Sequence, residues 1–374
     1  MPSSTSAANE TKKLHVEAAE ATYETDRYLA TQDNLRETLD KYGVAILPGV
    51  LNEGEIQAMN DGMWDTLEQM TSGFSGGAKP IDRKKKNTWA NIEELKPMHG
   101  FLIQHWGIGH AKYVWEVRAN QKVCAAFSTV HDTPPENLVT SFDAVSILLP
   151  DGRFGKTRTD PKLWLHTDQR FNYEMDPYRY SVQAWVTGFD VAEGSATLAF
   201  LEGSHKHHAA FAEKFGYSRH GFDWWELGTE DEFKYLTEEC GCVLRAIKCP
   251  AGSMVMFDSR LFHSGMAPPS GAQPVPRHVV YVCMSPKNWC KEHHLYRRKE
   301  IFLDSRMTAH TPHVPRLFSQ FPRGYHKDSL PVKAPPMFSM DEMTERMKTL
   351  VPLDPQDRLH DDVDEAGEAG EEQQ

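Results

Sequence analysis

A chain of 374 residues with 40% hydrophobic and 10% aromatic side chains can bury a real core, which excludes a disordered or fibrous protein. Its formal charge of −12 is concentrated: seven acids lie in 361–372, and setting them aside leaves −5, no general nucleic-acid footprint. No apolar run approaches the roughly eighteen residues of a membrane span, so no membrane insertion is expected.

Residues 1–30 read as a polar leader with some helical character and none of the apolar stretch of a secretory signal. The chain ends Glu-Glu-Gln-Gln, which is not a peroxisomal address. Cys124, Cys240, Cys242, Cys249, Cys283 and Cys290 follow no framework spacing and read as reduced thiols. A cytoplasmic location is expected, with a nuclear one left open and secretion not expected. Nothing in the sequence speaks to oligomeric state.

From Asn34, the spacing of Leu35, Leu39 and Tyr42 predicts a helix that Gly43 stops, and Val44-Ala45-Ile46-Leu47 reads as a short buried strand. Pro48-Gly49 turns the chain, and Asn52 caps a helix carrying Ile56, Met59, Met63 and Leu67. A Gly/Ser loop over 72–80 leads into the basic cluster Arg83-Lys84-Lys85-Lys86, and a further helical stretch covers roughly 111–130. From Ser141 the texture changes. Strands are predicted at 143–149, 163–171, 181–189, 196–201, 243–248, 253–258 and 278–284, punctuated by Pro and Gly as in an antiparallel barrel or jelly roll. After Pro286 the chain is charged and Pro-rich, with a peripheral helix expected over 337–350 and a disordered acidic tail beyond it. The fold class is thus mainly β with flanking helices. One main domain is expected over 31–335, with its β core at about 141–286 and an appendage over 336–374.

Within the segment predicted at 163–171 stands His166-Thr167-Asp168. Side chains alternate along a strand, so the imidazole and the carboxylate project from one face. One more histidine would complete a 2-His-1-carboxylate facial triad, the site of non-haem Fe(II) oxygenases. His263, shortly after the apolar strand predicted at 253–258, is the candidate. Arg277, opening the last predicted strand, can clamp a dicarboxylate with its planar fork. The joint logic is a 2-oxo acid on two open iron positions, O2 on the third, and Arg277 on the acid's far carboxylate.

Four segments taken in order resemble the phytanoyl-CoA dioxygenase family of Fe(II)/2-oxoglutarate oxygenases. They are LDKYGVAILPGVL at 39–51, LHTDQ at 165–169, QAWV followed by EGSATLAFLEGSHK within 182–206, and the stretch 250–277. The resemblance implies a double-stranded β-helix, a cupin-like jelly roll, with helices packed on one side, and makes 31–335 the dioxygenase domain. It puts iron on His166, Asp168 and His263 and the 2-oxoglutarate 5-carboxylate on Arg277. Trp185 falls at a pocket-lining tryptophan and Gln104 at a polar cosubstrate contact. Arg277 lies further from His263 than the family spacing, through the insert 268–276, which keeps Arg260 and His278 as rivals. Related halogenases replace the carboxylate with a small residue, so Asp168 favours hydroxylation or desaturation.

The implied activity is hydroxylation of a C–H bond with decarboxylation of 2-oxoglutarate to succinate and CO2, ascorbate serving as reductant. A small or medium organic substrate leads. A macromolecular one, a protein side chain or a nucleobase, is the alternative, motivated by the basic loop 150–162 (Arg153, Lys156, Arg158, Lys162) together with Arg83–Lys86. A non-catalytic cupin-like binding module is a third reading, though such a module has no need of all four site residues. Gln169 and Phe171 follow Asp168 and could face substrate, with core packing equally suited to Phe171. His205 reads as part of a turn, and His310 and His313 as solvated side chains in a polar segment. Trp224-Trp225 anchor an insertion over 211–240 or touch substrate.

Overall fold

The computed structural model describes residues 13–150, 162–172, 181–268, 275–325 and 331–353. The acidic tail, Arg153, Lys156 and Arg158 lie outside these residues.

Strands β1 to β5 span Thr22–Glu24, Val44–Leu47, Leu102–Ile103, Leu138–Thr140 and Val145–Leu148. Strands β6 to β9 span His166–Thr167, Val182–Thr187, Thr197–Glu202 and Trp225–Glu226. Strands β10 to β13 span Val243–Ile247, Met254–Asp258, His263–Met266 and Arg277–Pro286. They form two sheets, one in the order β1-β10-β8-β12-β6-β9 and the other β2-β11-β7-β13-β5-β3, with β4 beside β13. Apart from β1, which runs parallel to β10, the paired strands are antiparallel. This is the expected double-stranded β-helix.

Alternation along the strands decides what each face meets. Val182, Ala184, Val186, Met254, Met256, Val280 and Val282 share a core with Met59, Met63 and Leu67 of a helix over Glu53–Met70, and with Val123 and Phe127 of one over Gln121–His131. The intervening residues Trp185, Val255, Phe257 and Val279 turn inward and pack with Leu198, Phe200 and Ile247 of the facing sheet. Helices therefore cover the outside of the second sheet, and the space between the sheets is left for the site.

Several local expectations are refined. The helical stretch over 111–130 is two helices, Lys112–Arg118 and Gln121–His131, because Asn120 caps the second through the Lys122 amide. The peripheral helix is shorter, Glu345–Leu350. Residues 13–30 are not a leader: β1 joins the first sheet, and Leu14, Val16, Ala18 and Ala21 are buried against Leu163, Leu165 and Leu244. Their apolar alternation is too short to stand out from a polar stretch. The cysteines are free, four of them buried. Among the described residues no helix is long and apolar enough to cross a membrane.

Gly43 closes the helix Leu35–Tyr42 with φ of +81°, and a Cβ there would lie 2.5 Å from His205 Nδ1 and 2.7 Å from a Leu261 methyl. His205 in turn meets the Asp40 carbonyl at 3.1 Å, so the Gly-Ser-His-Lys turn locks onto the end of this helix. Gly43→Ala is expected to cost about 2–4 kcal/mol, combining left-handed strain with overpacking. Gly49→Ala, at φ +65° with open space around it, should cost only about 1 kcal/mol. Denaturant midpoints of the two variants check this; equal losses would contradict it.

Candidate active site

His166 opens β6 and His263 opens β12, and the two residues are directly opposite each other in the ladder. The sequence places His263 after a strand; in the structure it begins one of its own. This cross-strand pairing joins two residues that are 97 positions apart. Each imidazole is aimed by its own backbone. His166 Nδ1 donates to the Trp164 carbonyl at 2.9 Å and His263 Nδ1 to the Leu261 carbonyl at 2.9 Å. A histidine whose Nδ1 carries the proton presents the Nε2 lone pair, the form a metal requires.

Both Nε2 atoms turn to Asp168, at 3.4 Å from Oδ1 for His166 and 3.3 Å from Oδ2 for His263. The three ligand atoms lie within 4.8 Å of one another, and all three residues are buried. Gln183 donates to Asp168 Oδ2 at 2.8 Å, and the Asp168 amide donates to the Ser259 carbonyl at 3.0 Å. Burial alone would raise the Asp168 carboxyl, but His310 and His166 beside it hold it well below its usual range. An ionised carboxylate and two Nε2 lone pairs on one face fit a divalent iron.

A cavity of about 300 Å³ opens above the triad. Its walls include Gln104, Trp185 and Arg277 of the expected site, and Phe101, Trp164, Trp224, Phe257 and Phe318 make it strongly aromatic. Arg277 is buried, with Nε donating to Ser146 Oγ at 2.9 Å and Nη1 to the Ala196 carbonyl at 2.9 Å. Its guanidinium lies 5.5 Å from the ring centres of both Phe101 and Trp185. It makes no ion pair among the described residues. A buried cation without a carboxylate partner is costly, and such a group at a cavity wall is suited to an incoming anion. The rivals are otherwise occupied: Arg260 is bound to Asp258, and His278, on the opposite face of β13, bonds Asn60.

Gln169 and Phe171 are not among the cavity walls. The alternation that puts His166 and Asp168 inward puts these two outward, where Phe171 stacks near His208, Phe211 and Tyr217. Arg83 is also away from the cavity, drawn into ion pairs with Asp61, Asp65 and Glu68. Two features escaped the sequence reading. Trp164 stacks on His166 at 4.1 Å and on His99 at 4.0 Å, forming a three-ring wall. His310, expected in solvent, lines the cavity with Nε2 3.8 Å from Asp168 Oδ1.

The family model of phytanoyl-CoA dioxygenase (PhyH) matches residues 39–278. Among curated proteins, Ava biosynthesis cluster protein O of Aspergillus versicolor is 27% identical over 290 residues, covering 74% of this chain and 85% of that protein. A hypothetical protein of Escherichia coli superposes with a TM-score of 0.56 at 14% identity, over 90% of this chain and 87% of that one. HygX from Streptomyces hygroscopicus, solved with nickel, 2-oxoglutarate and hygromycin B, gives a TM-score of 0.41 at 15% identity, over 69% of this chain and 88% of that one. The family match runs from the first helix through the triad to Arg277 and covers well over half of the chain. With a buried site of two imidazoles and a carboxylate inside it, the protein belongs to the phytanoyl-CoA dioxygenase family and is an iron- and 2-oxoglutarate-dependent oxidoreductase.

Proposed function

We propose that this oxygenase hydroxylates a C–H bond of a small or medium organic substrate. The observation that carries this is the intact carboxylate Asp168 beneath a compact aromatic cavity, whose wall holds Arg277 with no ion pair among the described residues. His166, Asp168 and His263 hold the iron. Arg277 and Ser146 take the far carboxylate of 2-oxoglutarate, Phe101 and Trp185 fix the guanidinium between their rings, and Gln104 offers a polar contact nearby. Bound iron with 2-oxoglutarate and O2 supplies the oxidation, in which 2-oxoglutarate becomes succinate and CO2 and an oxygen atom enters a C–H bond. The aromatic walls exclude water and orient the substrate, and no side chain needs to act as a general base.

The cavity volume favours a small guest over a folded protein segment. The name of the Aspergillus relative, a biosynthesis cluster protein, agrees with a small-molecule substrate. Succinate release with Fe(II), 2-oxoglutarate and ascorbate, screened over neutral aromatic metabolites, acyl-CoAs, amino acids, peptides and methylated DNA, tests the reading. One class of small molecule should stimulate turnover and gain an oxygen atom by mass spectrometry. Stimulation by the peptides or the DNA alone, or a product without added oxygen, would refute it.

A further inference from the structure

The proposed function uses one polar wall of the cavity, the one around Arg277. A second is built by His310 and Asp143, both of which line the same space. His310 comes from beyond the family match, on a short hairpin held from several sides. Thr308 and Phe142 exchange two hydrogen bonds of 2.9 Å, Ala309 N donates to the Arg316 carbonyl at 2.8 Å, and Phe318 N donates to the Met307 carbonyl at 2.9 Å. Arg298, fully buried, donates to the Pro312 carbonyl at 2.9 Å and also binds the Thr140 and Leu350 carbonyls. The backbone of Asp143 is fixed in turn by Arg118, which donates to its carbonyl at 2.8 Å.

This scaffolding holds an imidazole that makes no hydrogen bond among the described residues. Its nearest charged neighbour, Asp168 Oδ1, is 3.8 Å away, beyond hydrogen-bond reach. Asp143 is buried beside it, its carboxyl pushed up by burial and pulled back by the nearby His310. Met98, Leu102, Trp164, Trp224 and Phe318 line the same cavity and give it largely apolar and ring surface. Arg277 is the one cation on the described wall that carries a fixed charge, and the cosubstrate takes it. A second carboxylate or a phosphate in the guest would face Asp143 with no further cation among the described lining residues to balance it.

We propose that His310, with Asp143 beside it, is the specificity-determining contact for a neutral, ring-bearing substrate. It hydrogen-bonds one hydroxyl or carbonyl of that substrate and so fixes which C–H bond faces the metal. The proposal rests on the oxygenase reading above. It adds the chemical class of the guest and the residue that selects it.

Two single-ring probes of nearly the same shape, p-cresol and p-xylene, differ by one hydroxyl. Ligand-observed NMR titration against the full chain loaded with Ni(II) and 2-oxoglutarate reads their affinities, and paramagnetic broadening reports closeness to the metal. The wild type should bind p-cresol about tenfold more tightly than p-xylene, the worth of one hydrogen bond. His310→Phe should abolish the preference and His310→Gln, which keeps a donor and an acceptor at similar reach, should retain most of it. If His310→Phe disturbs folding, His310→Asn decides, since its amide is too short and the preference should vanish there too. A preference that survives in His310→Phe or His310→Asn overturns the proposal, as does a wild type that binds p-cresol no better than p-xylene. Failure of the oxygenase reading itself shows separately, as absence of the visible charge-transfer band when Fe(II) and 2-oxoglutarate are added anaerobically to the wild type.

Discussion

Asp168→Ala is expected to reduce substrate-stimulated succinate release on the order of a thousandfold or more, because it removes the anionic ligand of the metal. The carboxylate is the hub of the site: both Nε2 atoms approach it, and Gln183 holds one of its oxygens at 2.8 Å. Without it, two neutral imidazoles remain to hold a dication, with no anionic protein ligand to balance its charge. Bound iron after desalting should fall with the activity. Asp168→Asn, which keeps the shape and loses the charge, should fare little better. The neighbours that hold the carboxyl below its usual range also stabilise the folded apo protein, so apo Asp168→Ala should melt below the apo wild type. A purely structural role would show that loss with iron content retained. Activity within about tenfold of wild type would remove Asp168 from the metal.

The legible part of this site was the part governed by local alternation. His166 and Asp168 share a face for the same reason that Trp185 shares one with Gln183, and Arg277 with Tyr281. The same rule, carried two residues further, would have turned Gln169 and Phe171 away from the cavity; Leu163 and Leu165, apolar and of that parity, were the available signal. The pairing of His263 with His166 was not legible from spacing, since ladder register across 97 residues is set by the closed fold. His263 is legible as a candidate from its place after an apolar strand and from the family resemblance, but its register opposite His166 is not. His310 had neither route. It lies in a polar, Pro-rich segment without periodicity, and its place beside Asp168 follows from the Thr308–Phe142 and Arg298–Pro312 contacts. Residues 13–30 joined the fold through one parallel strand, an unusual pairing that no local pattern announces.

Arg277→Met should raise the apparent KM for 2-oxoglutarate by roughly thirty- to several-hundredfold while leaving Fe(II) binding in the absence of cosubstrate close to wild type. The magnitude is that of removing one partner of a buried, hydrogen-bonded charge pair, about 2–4 kcal/mol. The reasoning is specific to this guanidinium. Ser146 and Ala196 fix its plane, two aromatic rings bracket it, and no carboxylate of the described residues balances it. Arg277→Lys keeps the charge but loses the fork, so it should recover only part of the affinity. The apo protein supplies a second readout. Desolvating an unpaired guanidinium opposes folding, so apo Arg277→Met should melt at or above the wild-type temperature. Addition of 2-oxoglutarate with a redox-inert metal should raise the wild-type melting temperature, through preferential binding to the folded state, and leave the variant almost unmoved. If the KM is unchanged, the buried cation is an internal staple for Ser146 and Ala196. In that case removing it should lower the apo melting temperature, and the two roles separate in one pair of measurements.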